Sequence, residues 1–267
     1  MEDFKRYLLD RDFSNHTVES YLYAAKQLED RVSVGLSNES LLAHKDWLAS
    51  CYAVKTVNLR ITAINSYLDF VGYDGIRLKS LHVQQKPYLD NVISQSDYEL
   101  LRDSLKRDGD LFWHFVVRFL AGTGARVSEL RQFTVESAHM GHLDLVSKGQ
   151  KLRRIYIPSS LQEDAAEWIR CSEKTSGYVF TSKGEAPMTA RGLSLGLKRC
   201  AARYGINQDV VYPHSFRHRF AKNFIERNPD IAFLADLMGY ESLETTRIYL
   251  RRTSSEQRAA VDATIDW

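Results

Sequence analysis

One break in periodicity limits the folds open to this chain more than any other feature. From Met1 to about Val83 apolar residues recur at helical spacing; in "LHVQQKPYLDNVISQSDYELL" that spacing fails, Pro87 intervenes, and fresh cap residues stand at Ser94 and Ser96. A chain of 267 residues is long enough for two cores, so the break reads as a domain boundary. The expected organisation is a first domain over 1–83, a linker over 84–93 within a broader 82–93 stretch, and a second domain over 94–267.

The first domain reads as all helical. In "HTVESYLYAAKQLEDRV" residues Val18, Tyr21, Leu22, Ala25, Leu28 and Val32 fall on one stripe, and "SNESLLAHKDWLASCY" opens with cap-type residues. "AVKTVNLRITAINSYLDFV" carries Val57, Ile61, Ile64, Leu68 and Val71 on one face, leaving Lys55, Asn58, Arg60 and Asn65 largely off it. A solvated polar face explains those four by itself.

The second domain mixes the two periods. Helices are expected over roughly 95 to 106, 110 to 121 and from about 126, then a β-hairpin across "MGHLDLVSKGQKLRRIYIP", then mostly helix. The fold class is therefore mainly α with one small β-sheet.

Charge and cysteines narrow the function little. A net charge of +2 suits many enzymes, so what matters is where cations cluster. Cys51, Cys171 and Cys200 are far apart, odd in number and outside any CxxC spacing, which points to reduced thiols. The charged start "MEDFKRYLLDRDF" lacks the apolar core of a signal peptide, and no run of about 18 apolar residues follows. A cytoplasmic protein without a membrane span is expected.

Four stretches stand out. "GTGARVSEL" lacks the third glycine of a dinucleotide loop and the Lys-Ser/Thr pair of a P-loop; it reads as a tight turn delivering Arg126 to a helix start, braced by Glu129. Lys148 sits at the tip of the hairpin. "HSFRHRF" holds His214 and His218 four residues apart, a metal-compatible spacing, but no acid stands between them and no third ligand is evident. "LMGYESLETTRIYLRRT" places Tyr240 after a glycine and Tyr249 among hydroxyls and arginines. Taken singly, each has an ordinary reading: a surface arginine, an exposed hairpin lysine, a core histidine, tyrosines packed by their rings.

Their order and spacing together resemble the tyrosine recombinases, also called phage integrases, and "TVNLRITAINSYLDF" looks like the last helix of that family's core-binding domain. The resemblance covers nearly the whole chain. It implies a two-domain C-shaped clamp around duplex DNA, a helical SAM-like core-binding domain joined to a catalytic domain, with Lys55, Asn58 and Arg60 turned toward DNA.

The resemblance also implies the chemistry: site-specific recombination through a 3′-phosphotyrosine and a Holliday junction, with neither metal nor ATP. Tyr249 would attack the phosphorus, Arg126 and Arg217 would clamp the non-bridging oxygens bidentately, and Lys148 would protonate the leaving 5′ oxygen. His214 would assist as base or donor, while His218 is read as a structural partner. The family usually has histidine or tryptophan where Tyr240 stands, and a phenol there can still donate one hydrogen bond. No cofactor is implied. The implied partners are double-stranded DNA with inverted-repeat sites, further copies of this chain as a tetramer joined through the tail 254–267, and an accessory DNA-bending protein. The rival readings are a type IB topoisomerase and a DNA-binding regulator that has lost catalysis.

Overall fold

A computed structural model describes residues 1–32, 35–83, 91–146, 152–182, 184–240, 243–250 and 262. The chain divides into two compact units, Met1–Gln85 and Lys86–Trp267.

The described residues of the first unit form four helices: α1 (Glu2–Leu9), α2 (Asn15–Arg31), α3 (Asn38–Cys51) and α4 (Val54–Phe70). Short hydroxyls set two of the starts, since an N-cap oxygen satisfies a backbone N–H the helix cannot. Ser14 accepts from the Thr17 amide, and Ser37 and Ser40 form a reciprocal capping box. Val18, Tyr21, Ala25 and Leu28 of α2 meet Val57, Ile61, Ile64 and Leu68 of α4 in one core. At about 1.5–3 kcal/mol per fully buried Leu or Ile, that stripe outweighs the small helix penalty of its β-branched residues. Val71, expected to extend the stripe, is 41% exposed because α4 ends at Phe70.

Asn58 and Asn65, seven residues and two turns apart, hold an extended strap against α4. Each side-chain amide accepts from one residue's N–H and donates to the same residue's carbonyl: Asn58 to Leu81 at 2.7 and 2.9 Å, Asn65 to Leu78 at 2.9 and 2.9 Å. The pairs imitate the two bonds of a β-ladder rung.

The second unit is built on α6 (Leu111–Thr123), which is apolar nearly all round and packs against α5 (Gln95–Arg107), α9 (Ser159–Cys171), α10 (Ala190–Arg203) and α11 (Pro213–Arg227). The helix expected from residue 126 is two short pieces, α7 (Val127–Leu130) and α8 (Val135–Met140), because Thr134 caps a new start through the Ser137 amide. The hairpin has strands β1 (His142–Val146) and β2 (Leu152–Tyr156), antiparallel, with Leu145 opposite Arg153 and Asp144 opposite Arg154. Between α9 and α10 the chain is irregular, with isolated bridges Thr134 to Tyr178 and Thr181 to Pro187, where helix was expected. The unit continues with α12 (Ile231–Met238), α13 (Leu243–Arg247) and a 3-10 turn, Ile248–Leu250.

No helix among the described residues is long and apolar enough to cross a membrane. The three cysteines are free thiols.

Candidate active site

Three elements of the second unit converge on one acid. Gly124 closes α6 with φ of 62°, a left-handed value suited to glycine, and Phe220 of α11 lies so near that an added Cβ would meet its ring at 2.5 Å. The turn releases Arg126 as the residue before α7, and the Glu129 carboxylate reaches back to it, accepting from the Arg126 amide and from its Nη1, both at 2.7 Å.

Strand alternation brings a second arginine to that carboxylate. Directly opposed residues of an antiparallel pair share a face, so Arg153 sits with Leu145, Leu143 and Ile155 on the covered side. Arg154 lies outside, in a two-bond pair with Asp144 at 2.7 Å each. Arg153 donates through Nη1 to Glu129 and through Nη2 to the Leu237 carbonyl at 2.9 Å, while its buried Nε has no partner among the described residues. Burial, opposed by Glu129 and then aided by Arg217 and Arg126, pulls its pKa down to about 10.

Helix α11 supplies the third arginine. Pro213 stands at its first turn, where the missing amide hydrogen costs nothing. One helical turn further on, Arg217 is 1% exposed and donates from Nη1 to the Gly124 carbonyl at 2.6 Å, from Nη2 to the Met238 carbonyl, and from Nε to the Tyr240 hydroxyl at 3.3 Å. Its Nη1 is 3.9 Å from Glu129. Three guanidinium groups therefore surround one carboxylate, an excess of cation that an incoming anion would relieve. Each donor fork has five N–H groups, and among the described residues Arg217 commits three of them.

The glycine after α12 completes the cluster. Gly239 has φ of 61°, and a Cβ there would strike Arg153 Cδ at 2.5 Å. Its carbonyl accepts from Arg126 Nη2 at 3.1 Å, and the next residue, Tyr240, lies with its ring 4.9 Å from the Arg217 guanidinium carbon.

Tyr249 is held from the other side. Its ring, 3% exposed, packs in a small core with Ala221, Ile225, Leu234 and Met238. Its hydroxyl lies 2.8 Å from His218 Nδ1 and 3.3 Å from the Tyr240 hydroxyl. Burial pushes the Tyr249 phenol far above its ordinary pKa, and the Tyr240 contact adds to the rise. Burial also works against ionisation of Tyr240, but its hydrogen bond with Tyr249 and the charges of Arg217 and Arg126 outweigh that and leave it below its ordinary value. His218 is lowered to about 4, by burial first, then by His214 and Arg217. His214 is exposed, its ring 6.4 Å from that of His218; desolvation, then Arg217 and Arg126, lower its pKa, against Glu129.

Of the residues expected from sequence, the fold brings together Arg126, His214, Arg217, Tyr240 and Tyr249. Lys148 lies outside the described residues, as does the tail from 254 except for Asp262. In the first unit Lys55 is exposed, whereas Arg60 is held by Gln27 and stacks 3.8 Å over Tyr52. Asn58, expected to face DNA, is half-buried, and its side-chain amide brackets Leu81 with one donated and one accepted bond. Sequence reasoning missed Arg153, although its place two residues before buried Ile155 carried the signal; it also passed over the His218–Tyr249 contact, which joins residues 31 apart and leaves no local trace.

Among the described residues no group of three His, Cys, Asp or Glu side chains is arranged to hold a metal ion.

Comparison with known proteins bears on the same residues. A model of the phage integrase family matches residues 91–256. Tyrosine recombinase XerA of Pyrococcus furiosus is 29% identical over 271 residues, spanning 98% of this chain and 92% of its own, and tyrosine recombinase XerD of Listeria monocytogenes is 25% identical over 95% and 94%. The fold is shared with XerH site-specific recombinase bound to palindromic difH substrate in a post-cleavage complex, at a TM-score of 0.76, 17% identity and coverage of 95% and 80%. A lambda integrase dimer bound to a core site aligns at a TM-score of 0.72, 14% identity and coverage of 100% and 95%.

Proposed function

The chain belongs to the phage integrase family, and from that premise we propose how its residues carry out site-specific DNA recombination. One observation supports the assignment above the rest. Among the described residues, the Tyr249 hydroxyl is the phenol joined on one side to a histidine and on the other, through Tyr240, to a buried arginine.

Cleaving a phosphodiester needs a nucleophile, a cradle for charge on the pentavalent phosphorus, and an acid for the leaving oxygen. Tyr249 is the nucleophile. Arg126, with a third of its side chain exposed, and the two uncommitted N–H groups of Arg217 receive the non-bridging oxygens. Tyr240 takes the donor position at the same phosphate, His214 assists at the rim, and Lys148 protonates the departing 5′ hydroxyl. The Tyr249 oxygen bonds to phosphorus as the P–O5′ bond breaks, so the phosphotyrosine keeps the bond energy and a second 5′ hydroxyl can reverse the step.

Duplex DNA with inverted-repeat sites is the substrate. Lys55 and Arg60 of the first unit contribute phosphate contacts, which make affinity depend on salt. Four copies act on two sites, joined through residues 254–267, in the cytoplasm.

A denaturing gel of the protein with nicked suicide duplexes from the DNA flanking its gene tests the assignment. A detergent-stable adduct that vanishes in Tyr249→Phe is expected. Binding without any adduct would leave a regulator in its place.

A further inference from the structure

We propose that His218 is a catalytic residue, the group that takes the proton from the Tyr249 hydroxyl as that oxygen attacks DNA. The proposal rests on Tyr249 being the nucleophile.

The geometry singles out His218 among the neighbours of that hydroxyl. Its Nδ1 is 2.8 Å from the Tyr249 oxygen, an ordinary distance for a direct proton transfer, whereas Tyr240 is 3.3 Å away and already accepts from Arg217. His214 lies one turn earlier on α11, its ring centroid 6.4 Å from that of His218. The two partners are also fixed independently of each other. His218 is on α11 beside Arg217, and the tyrosine ring is clamped by Ala221 and Ile225 of the same helix together with Leu234 and Met238 of α12. A contact held by packing on both sides does not depend on the hydrogen bond for its existence.

For Nδ1 to accept, the imidazole carries its own proton on Nε2. The step then balances. The phenol proton moves to Nδ1, the phenolate oxygen bonds to phosphorus, the P–O5′ bond breaks, and the 5′ oxygen takes a separate proton from the acid on its own side. In the reverse step the imidazolium returns its proton to Tyr249 as the tyrosine leaves.

The surroundings keep His218 neutral before DNA arrives and strengthen it afterwards. After burial, the charges lowering its basicity are those of His214 and Arg217. A phosphodiester anion seated on Arg217 offsets the second of these, so substrate binding moves the imidazole toward its ordinary basicity when a base is needed.

The test is a set of single-turnover cleavage rates on the suicide duplex with the full chain. His218→Asn puts an amide near Nδ1 that still hydrogen-bonds but cannot take a proton. The expected result is adduct formation slowed about 100-fold, with DNA affinity and melting temperature unchanged. Replacing Tyr249 by a ring-fluorinated tyrosine, a more acidic phenol, then recovers at least about tenfold of that loss in the His218→Asn protein, because an acidic nucleophile needs less help from a base. External imidazole supplied to His218→Gly gives the same reading by a second route. Cleavage by His218→Asn within about twofold of the parent rate overturns the proposal. So does a slow His218→Asn that neither fluorination nor imidazole improves, which would make the contact a matter of holding the ring. A parent protein that forms no adduct removes the tyrosine assignment along with this one, so the two failures are distinguishable.

Discussion

The hydroxyls of Tyr240 and Tyr249 lie 3.3 Å apart, and their surroundings push the two phenols in opposite directions. Tyr240, beside two guanidinium groups, is the easier to ionise; Tyr249, buried in an apolar cluster, is the harder. With the Tyr249 proton turned to His218, the Tyr240 hydroxyl can donate to the Tyr249 oxygen, which makes Tyr240 a polar rest for it. Replacing Tyr240 by Phe removes that rest and the Arg217 contact together. Adduct formation should slow by about tenfold or more, the worth of about one hydrogen bond. Tyr240→His, which keeps a polar group there, should be the faster of the two variants in single-turnover cleavage. Equal rates for Tyr240→Phe and the parent would remove Tyr240 from the site.

Glu129 holds the arginines in place. Glu129→Gln keeps an acceptor for the Arg126 amide but removes the charge that Arg126, Arg153 and Arg217 share. Breaking a buried pair leaves cations uncompensated, so the variant should lose about 3 kcal/mol of stability in urea denaturation. Sulfate, an anion shaped for guanidinium forks, should restore part of the loss. A variant as stable as the parent, with no response to sulfate, would show that the arginines do not need this acid.

Asn58 and Lys55 should separate cleanly. Asn58→Ala breaks the bracket around Leu81 and should cost about 1–3 kcal/mol through unpaired backbone groups, with little change in the salt dependence of DNA binding. Lys55→Ala should leave the melting temperature alone, weaken DNA binding, and reduce the slope of log affinity against log salt by about 1. A reduced slope in Asn58→Ala would give that residue a DNA contact as well.

His44 sets an acid limit on the first unit. It is 2% exposed, neither ring nitrogen has a partner among the described residues, and burial, then Arg31 and Arg60, lower its pKa from 6.5 to about 4. The unfolded chain takes up a proton below 6.5 that the folded unit refuses until about 4. Stability therefore falls as pH drops through that window, by up to about 3 kcal/mol from this group, and is unaffected above it. His44→Leu should move the acid unfolding midpoint, followed by far-UV circular dichroism, to lower pH while matching the parent at neutral pH. An unmoved midpoint would assign acid unfolding to other groups.

The helices of both units were legible because an apolar stripe at three- and four-residue spacing records which face is covered. The hairpin was legible from its alternation. The breaks in that legibility are local ones. Val71 carries the right spacing but follows the last helical residue, and the short helices α7 and α8 are too brief for a period to show before Thr134 caps a new start. Irregular backbone between α9 and α10 has no period at all.

For the site, the sequence by itself determined the chemical kit: an arginine on a glycine turn, a histidine-arginine box on one helix, and two tyrosines after a second glycine turn. Those are short-range arrangements, and residue order records them. Only the tertiary structure decided which polar groups meet. Asn58 and Lys55 share a helix, yet one is spent on Leu81 and the other is exposed. Arg153 and Arg154 are neighbours, yet one joins Glu129 and the other a surface pair. His218 finds Tyr249 across 31 residues. The physical reason is that periodicity encodes how much water a face loses, whereas a hydrogen bond between distant segments depends on ångström-scale distances fixed only when every element has packed.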